Sequence, residues 1–167
     1  MESERFVPFV LYTERISKNI KRLADAKMEP YGIRSAHIMC ILQLAKSEEG
    51  LSSAELSRVC GVDKAFISRI TSELMEKNYI SRDIGPKQGK YKTKFLLTDS
   101  GIEICKIINN LISEFIRKIN KNTPVKKLET FYEVLSTIDT ELDKITNKEI
   151  DNKWLITFQL FMDYSMT

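Results

Sequence analysis

Residues 51–98 read LSSAELSRVCGVDKAFISRITSELMEKNYISRDIGPKQGKYKTKFLLT, and their pattern decides the fold. Ser52 or Ser53 is placed to cap a short helix whose apolar positions are Leu56 and Val59. That helix closes at Cys60-Gly61, because glycine tolerates the left-handed backbone that ends a helix. Asp63 caps a second helix over residues 63–77, in which Ile67, Ile70 and Leu74 fall at i, i+3 and i+7 on one buried face. Two short helices joined by a three- or four-residue turn containing Gly are the signature of a helix-turn-helix. Such a motif lays its second helix in the DNA major groove.

The other face of the second helix carries Lys64, Ala65, Ser68, Arg69 and Ser72, which are short or cationic, with no acid among them. A face of this kind can approach a negatively charged, hydrogen-bonding groove closely. The spacing of Phe66 to Ile70 favours partial burial, with contact to a thymine methyl as the alternative. Glu73 and Glu76 lie toward the C-terminal end, away from the end expected to meet bases. Residues 79–82 and 94–97 have strand character, and GPKQGKYK between them supplies turn chemistry through Gly85-Pro86 and Gly89. Lys87, Lys90, Lys92 and Lys94 surround this tip, a charge placement suited to phosphate or minor-groove contact.

Charge is distributed accordingly. Residues 58–94 hold 9 Lys+Arg against 4 Asp+Glu, residues 1–57 hold 8 against 8, and residues 95–167 hold 9 against 11. The whole positive excess of a chain with net charge +3 therefore lies on the proposed reading head.

At 167 residues the chain is one domain's worth, long enough to bury a core, and its 43% hydrophobic and 29% charged content is that of a soluble globular protein. Cys40, Cys60 and Cys105 form no CxxC and are odd in number, so they read as buried reduced thiols rather than a disulfide framework. The opening MESERF lacks the basic-then-apolar pattern of a secretory signal. No apolar run approaches the roughly 20 residues of a membrane span. A cytoplasmic protein is expected. No P-loop, GxSxG or dinucleotide glycine turn occurs, and a lone histidine cannot supply His-based metal or triad chemistry that needs two. Neither catalytic nor metal-binding residues are therefore assigned, no cofactor is expected, and the chain is read as no enzyme. His37 reads as a surface or capping side chain.

On either side of this centre the pattern is helical. Residues 4–27 form an amphipathic helix with Phe9, Ile16, Ile20 and Leu23 on one stripe, beginning at Phe6 or Val7 because Pro8 is tolerated only near a start. After Pro30 and Gly32, a helix from Ser35 to Ala45 turns Ile38, Ile41, Leu42 and Ala45 inward. Beyond the wing, Thr98-Asp99-Ser100-Gly101 opens a helix to about Lys121 that is apolar over more than half its circumference, so it needs cover on two sides. Thr123-Pro124 starts another, in which Val125, Leu128, Phe131, Leu135, Ile138, Leu142 and Ile145 recur near every 3.5 residues, as along a partner helix. A last helical stretch, residues 149–164, carries Trp154, Phe158 and Phe161 on one face and is expected to dock on the helical body or on a partner subunit.

The order of elements resembles the MarR family of bacterial winged-helix regulators. Residues 51–82 resemble its reading head, and LTDSG its strand-to-helix junction. The resemblance implies a mainly α fold with a small two-stranded β wing: a winged helix-turn-helix at 35–101 and a helical dimerisation region from 1–34 and 102–167, with a C-terminal extension. It implies a homodimer on a pseudo-palindromic double-stranded operator, contacted by Lys64, Ala65, Ser68, Arg69 and Ser72 and by wing residues Lys87, Lys90 and Lys92. It further implies a repressor released by a small, often aromatic effector, whose binding residues are not assigned. The family's wing tip carries an acid followed by arginine, whereas this chain has Lys87-Gln88-Gly89-Lys90. A lysine point charge suits phosphate rather than bidentate base contact. The peroxide-sensing branch needs a cysteine in the first helix, and this one has none. An effector-independent architectural DNA binder and a winged-helix protein-interaction module are the alternative readings.

Overall fold

The computed structural model describes residues 2–83, 93–121 and 123–165, and the surroundings of side chains among these from residue 4 to residue 148. Helix α1 (Glu2–Met28) starts upstream of the expected position and contains Pro8. A proline this near the start removes one amide donor without preventing the helix from continuing on both sides. A 3-10 turn (Glu29–Tyr31) follows, closed by Gly32, and leads to α2 (Ser35–Ala45). His37, Ile38, Cys40, Ile41 and Leu44 of α2 are buried, so Leu44 and not Ala45 completes the inner stripe.

The helix-turn-helix follows its caps. In α3 (Ser53–Cys60), the Ser52 hydroxyl accepts from the Glu55 amide at 3.3 Å while the Glu55 carboxylate accepts from the Ser52 amide at 2.8 Å, a reciprocal capping box. Leu56 points into the core; Val59 stays exposed. Gly61 stands at φ 64, where a side chain would be strained, and reverses the chain. The Val62 amide donates to the Ser57 carbonyl and the Ser57 hydroxyl to that of Val62, which ties the turn shut. Helix α4 (Lys64–Glu76) begins with Asp63 Oδ1 accepting from the Phe66 amide at 2.7 Å. Just past its end the chain is turned at Asn78, left-handed at φ 57, with the Tyr79 amide donating to the Leu74 carbonyl.

Two antiparallel strands were expected and are present, β2 (Ile80–Asp83) and β3 (Lys94–Leu97), paired Ile80↔Leu97 through Asp83↔Lys94. A third strand joins them: β1 (Leu51–Ser52) pairs Leu51↔Phe95 and Ser52↔Lys94, giving the order β1-β3-β2. Helix α5 (Asp99–Asn120) is seated on this sheet by Thr98, whose hydroxyl donates to the Asn78 carbonyl and accepts from the Gly101 amide. Gly101 lies against the Tyr79 carbonyl, leaving no room for a β-carbon. Helix α6 (Val125–Ser165) is continuous over 41 residues, rather than two separate stretches.

The chain forms two compact units, residues 1–113 and 114–167. The first contains the buried core: Met28 and Ile33, then Ile41 and Leu44 of α2, Leu56 of α3, Ile67, Ile70 and Leu74 of α4, Ile80 and Phe95 of the sheet, and Ile104, Cys105 and Ile108 of α5. In the second, Phe131, Leu142 and Ile145 are each more than half exposed (53%, 51% and 56%). Among the described residues, no helix is long and apolar enough to cross a membrane.

Candidate nucleic-acid interface

Helix α4 is anchored by its inner face. Ile67, Ile70, Thr71 and Leu74 are buried, and the Thr71 hydroxyl is satisfied by the Ile67 carbonyl at 2.9 Å. Because 3.6 residues complete a turn, the residues between these must point outward. Lys64, Ala65, Ser68, Arg69 and Ser72 are all exposed, so the five helix residues chosen from sequence lie on one solvent-facing surface. Ser72 donates its hydroxyl to the Ser68 carbonyl at 2.9 Å. Phe66 is half-buried against the core, the outcome its spacing favoured, and the Arg69 guanidinium lies over its ring, 5.0 Å from the centroid.

The acids of this region stand elsewhere. Asp63 caps the helix and Glu76 is its last residue. Glu73 is turned toward α2, where its Oε2 accepts from His37 Nε2 at 2.8 Å. His37 is buried and not a surface residue; it fills the capping role instead, with Nδ1 accepting from the Arg34 amide at 3.0 Å. An acceptor at Nδ1 puts the ring proton on Nε2, so the neutral tautomer satisfies both partners. Burial pushes the His37 pKa below its ordinary value. Glu73 opposes that shift through its hydrogen bond and its charge, and Lys77 and Arg34 add to it.

The hairpin contributes two further cations. Lys94 begins β3 and forms an ion pair with Glu49 at 3.1 Å. Arg82, which sequence reasoning did not single out, is exposed on β2 with its guanidinium 5.8 Å from the centroid of its cross-strand partner Phe95. Its signal was available, since it is a cation three positions before the turn segment that begins at Gly85, on a strand where it stands between Ser81 and Asp83. Lys87, Lys90 and Lys92 lie outside the described residues. Among the described residues, no three His, Cys, Asp or Glu side chains are grouped to hold a metal ion.

A capped pair of helices, a three-stranded sheet with a hairpin, and an exposed cationic face on the second helix define a winged helix-turn-helix. Residues 31–90 match the sequence model of the MarR family. The segment that carries the winged helix-turn-helix is thus similar in sequence to the MarR family. Solved structures agree in fold. A MarR/EmrR family transcriptional regulator from Acinetobacter sp. ADP1 superposes with a TM-score of 0.72 at 20% identity, covering 84% of this chain and 97% of that one. MepR of S. aureus, solved as a DNA complex, gives 0.73 at 18% identity, with 80% and 97% covered. A cysteine-to-serine mutant of E. coli MarR complexed with operator DNA gives 0.69 at 20% identity, with 80% and 95% covered.

Proposed function

We propose that the chain is a homodimeric, sequence-specific transcription regulator of the cytoplasm, which docks α4 in successive major grooves of a pseudo-palindromic operator. In this reading residues 35–101 bind DNA, and residues 1–34 and 102–167 build the dimer. One observation carries the proposal: Lys64, Ala65, Ser68, Arg69 and Ser72 share an exposed surface on a helix whose opposite side is locked into the core. A rigid helix with small and cationic outward residues can enter a major groove, where Arg reads guanine and Ser reaches either base type. Two structural neighbours were solved on DNA, which supports the same placement.

Lys87, Lys90 and Lys92 then supply phosphate contacts from the wing, and affinity falls steeply with salt. The exposed Phe131, Leu142 and Ile145 of the second unit and Phe6, Ile16 and Ile20 of α1 give a dimer the apolar surface it needs. Occupancy of a promoter by such a dimer excludes polymerase, so the regulator is a repressor, and a small aromatic effector releases it.

The test uses a duplex recovered by the protein from a randomised pool, alongside a scrambled duplex of the same composition. Arg69→Ala is expected to cost about 1–3 kcal/mol on the recovered duplex and little on the scrambled one. Lys90→Ala should weaken both alike. Equal losses on both duplexes for Arg69→Ala would contradict base reading, and the absence of any DNA binding in dilute buffer would overturn the proposal.

A further inference from the structure

Phe66 faces Arg69 across one helical turn, and this pair has features that an ordinary surface contact lacks. The Phe66 ring is half-buried against the core, and its amide is held by Asp63 Oδ1 at 2.7 Å, so the platform is fixed at the first turn of α4. Arg69 is exposed and forms no ion pair among the described residues. Its guanidinium lies 5.0 Å from the ring centroid, within the range of a cation–π contact. Helical side chains lean toward the helix N-terminus, which here brings the guanidinium over the end of α4 that a helix-turn-helix points at base edges. An arginine stacked on an aromatic face keeps its N–H fork free for a bidentate partner, and fewer rotamers must be frozen when it binds.

Resting on the DNA-binding reading above, we propose that Phe66 is a positioning residue that holds Arg69 as a preset fork and so determines base preference at one position of each half-site. Phe66 itself makes no base hydrogen bond; it acts through Arg69. The geometry separates two roles of one side chain, because the apolar body packs against the core while the π face serves the arginine. Leucine keeps the first role and abolishes the second. Tyrosine keeps both.

Wild-type protein, Phe66→Leu, Phe66→Tyr and Arg69→Lys are each used to select duplexes from the same randomised pool, with circular dichroism and thermal melting as controls for folding. The expected result is a wild-type motif in which one position per half-site loses about two- to fivefold of its discrimination in Phe66→Leu. Arg69→Lys loses roughly tenfold or more at that same position, because a point charge replaces the fork. Phe66→Tyr retains the wild-type preference. Combining Phe66→Leu with Arg69→Lys should cost no more than Arg69→Lys alone. A wild-type motif that Phe66→Leu reproduces with undiminished discrimination overturns the proposal while leaving DNA binding intact. Should Phe66→Leu fail to fold, relaxation in Arg69→Lys at no position, or at a position that Phe66→Tyr also relaxes, overturns it equally. A wild-type chain that enriches no motif removes the DNA-reading premise itself.

Discussion

Acidification should destabilise this protein through a single side chain, His37. It is the only histidine in the chain, so between pH 7.5 and 5.5 no other side chain has an ordinary pKa in the window. Its pKa is lowered from 6.5, by burial first, and a second proton would also displace the Arg34 amide from Nδ1. The unfolded chain therefore takes up a proton below pH 6.5 that the folded one resists, and stability present above 6.5 is lost as pH falls toward the folded value. One proton sets a ceiling of about 1.4 kcal/mol per pH unit, so passing from pH 7.5 to 5.5 costs up to about 1.4 kcal/mol. With an m-value of roughly 2 kcal/mol per molar, the urea midpoint should fall by up to about 0.7 M at constant protein concentration. His37→Gln can still accept from the Arg34 amide, since Gln is at home at this third helical position of a capping box. It loses the hydrogen bond to the partly exposed Glu73, which costs about 1 kcal/mol at pH 7.5, but its midpoint should no longer move with pH. A wild-type midpoint that stays constant, or rises, at pH 5.5 would refute the reasoning, because it would mean that Glu73 holds an imidazolium after all.

Three further outcomes rest on the packing of Gly101, Cys40 and Phe131. Gly101→Ala would set a β-carbon against the Tyr79 carbonyl, with the carbonyl carbon 3.0 Å away and its oxygen nearer still; neither is a flexible side chain. Thermal melting should therefore show a loss of about 1–3 kcal/mol, and an unchanged melting temperature would show that α5 can shift freely. Burial pushes the Cys40 thiol up to about 12, so folded protein at pH 8 should leave it unalkylated by iodoacetamide, with labelling only on unfolding; prompt modification, located by peptide mass mapping, would contradict its placement. Phe131→Asp should weaken the proposed dimer by about 3 kcal/mol or more, since symmetry counts the lost burial twice. Sedimentation equilibrium would measure this, and an unchanged association constant would place the interface elsewhere.

Much of the helix-turn-helix was legible because its signals are local. Ser52 with Glu55, Gly61 and Asp63 are cap residues whose effect acts within four positions, and each sits where the chain required it. The outward set on α4 followed from the same periodicity, since fixing Ile67, Ile70 and Leu74 inside leaves Ser68, Arg69 and Ser72 outside. Strand β1 was not legible: two residues have no periodicity, and only pairing with Phe95 and Lys94, more than forty positions away, makes them a strand. The burial of His37 carried a signal that hydrophobicity alone hides. Positions 37, 41 and 44 share the i, i+4, i+7 spacing of an inner stripe, while the partner that makes burial tolerable, Glu73, lies 36 residues on. The continuity of α6 could also have been read, for no Gly or Pro falls between Val125 and Ser165.

The His37–Glu73 hydrogen bond matters to the surface as well as to the fold. If the outward face of α4 docks on DNA as proposed, a carboxylate among its residues would be repelled by phosphate. Asp63 is committed to the Phe66 amide, and Glu76 stands at the far end of the helix. Glu73 is one position from the exposed Ser72, yet its carboxylate is held inward by an imidazole on α2. The hydrogen bond directs the partly exposed Glu73 carboxylate toward α2 rather than toward the outward set, and it joins α4 to α2 by a directional contact that apolar packing does not provide. Lys77 strengthens the arrangement from the other direction: its cation lies near Gly32 and acts on His37, so the C-terminal end of α4 offers positive charge where Glu73 has been withdrawn. A helix with two glutamates in its last turn can thus present an outward face from Lys64 to Ser72 that carries two cations and no acid.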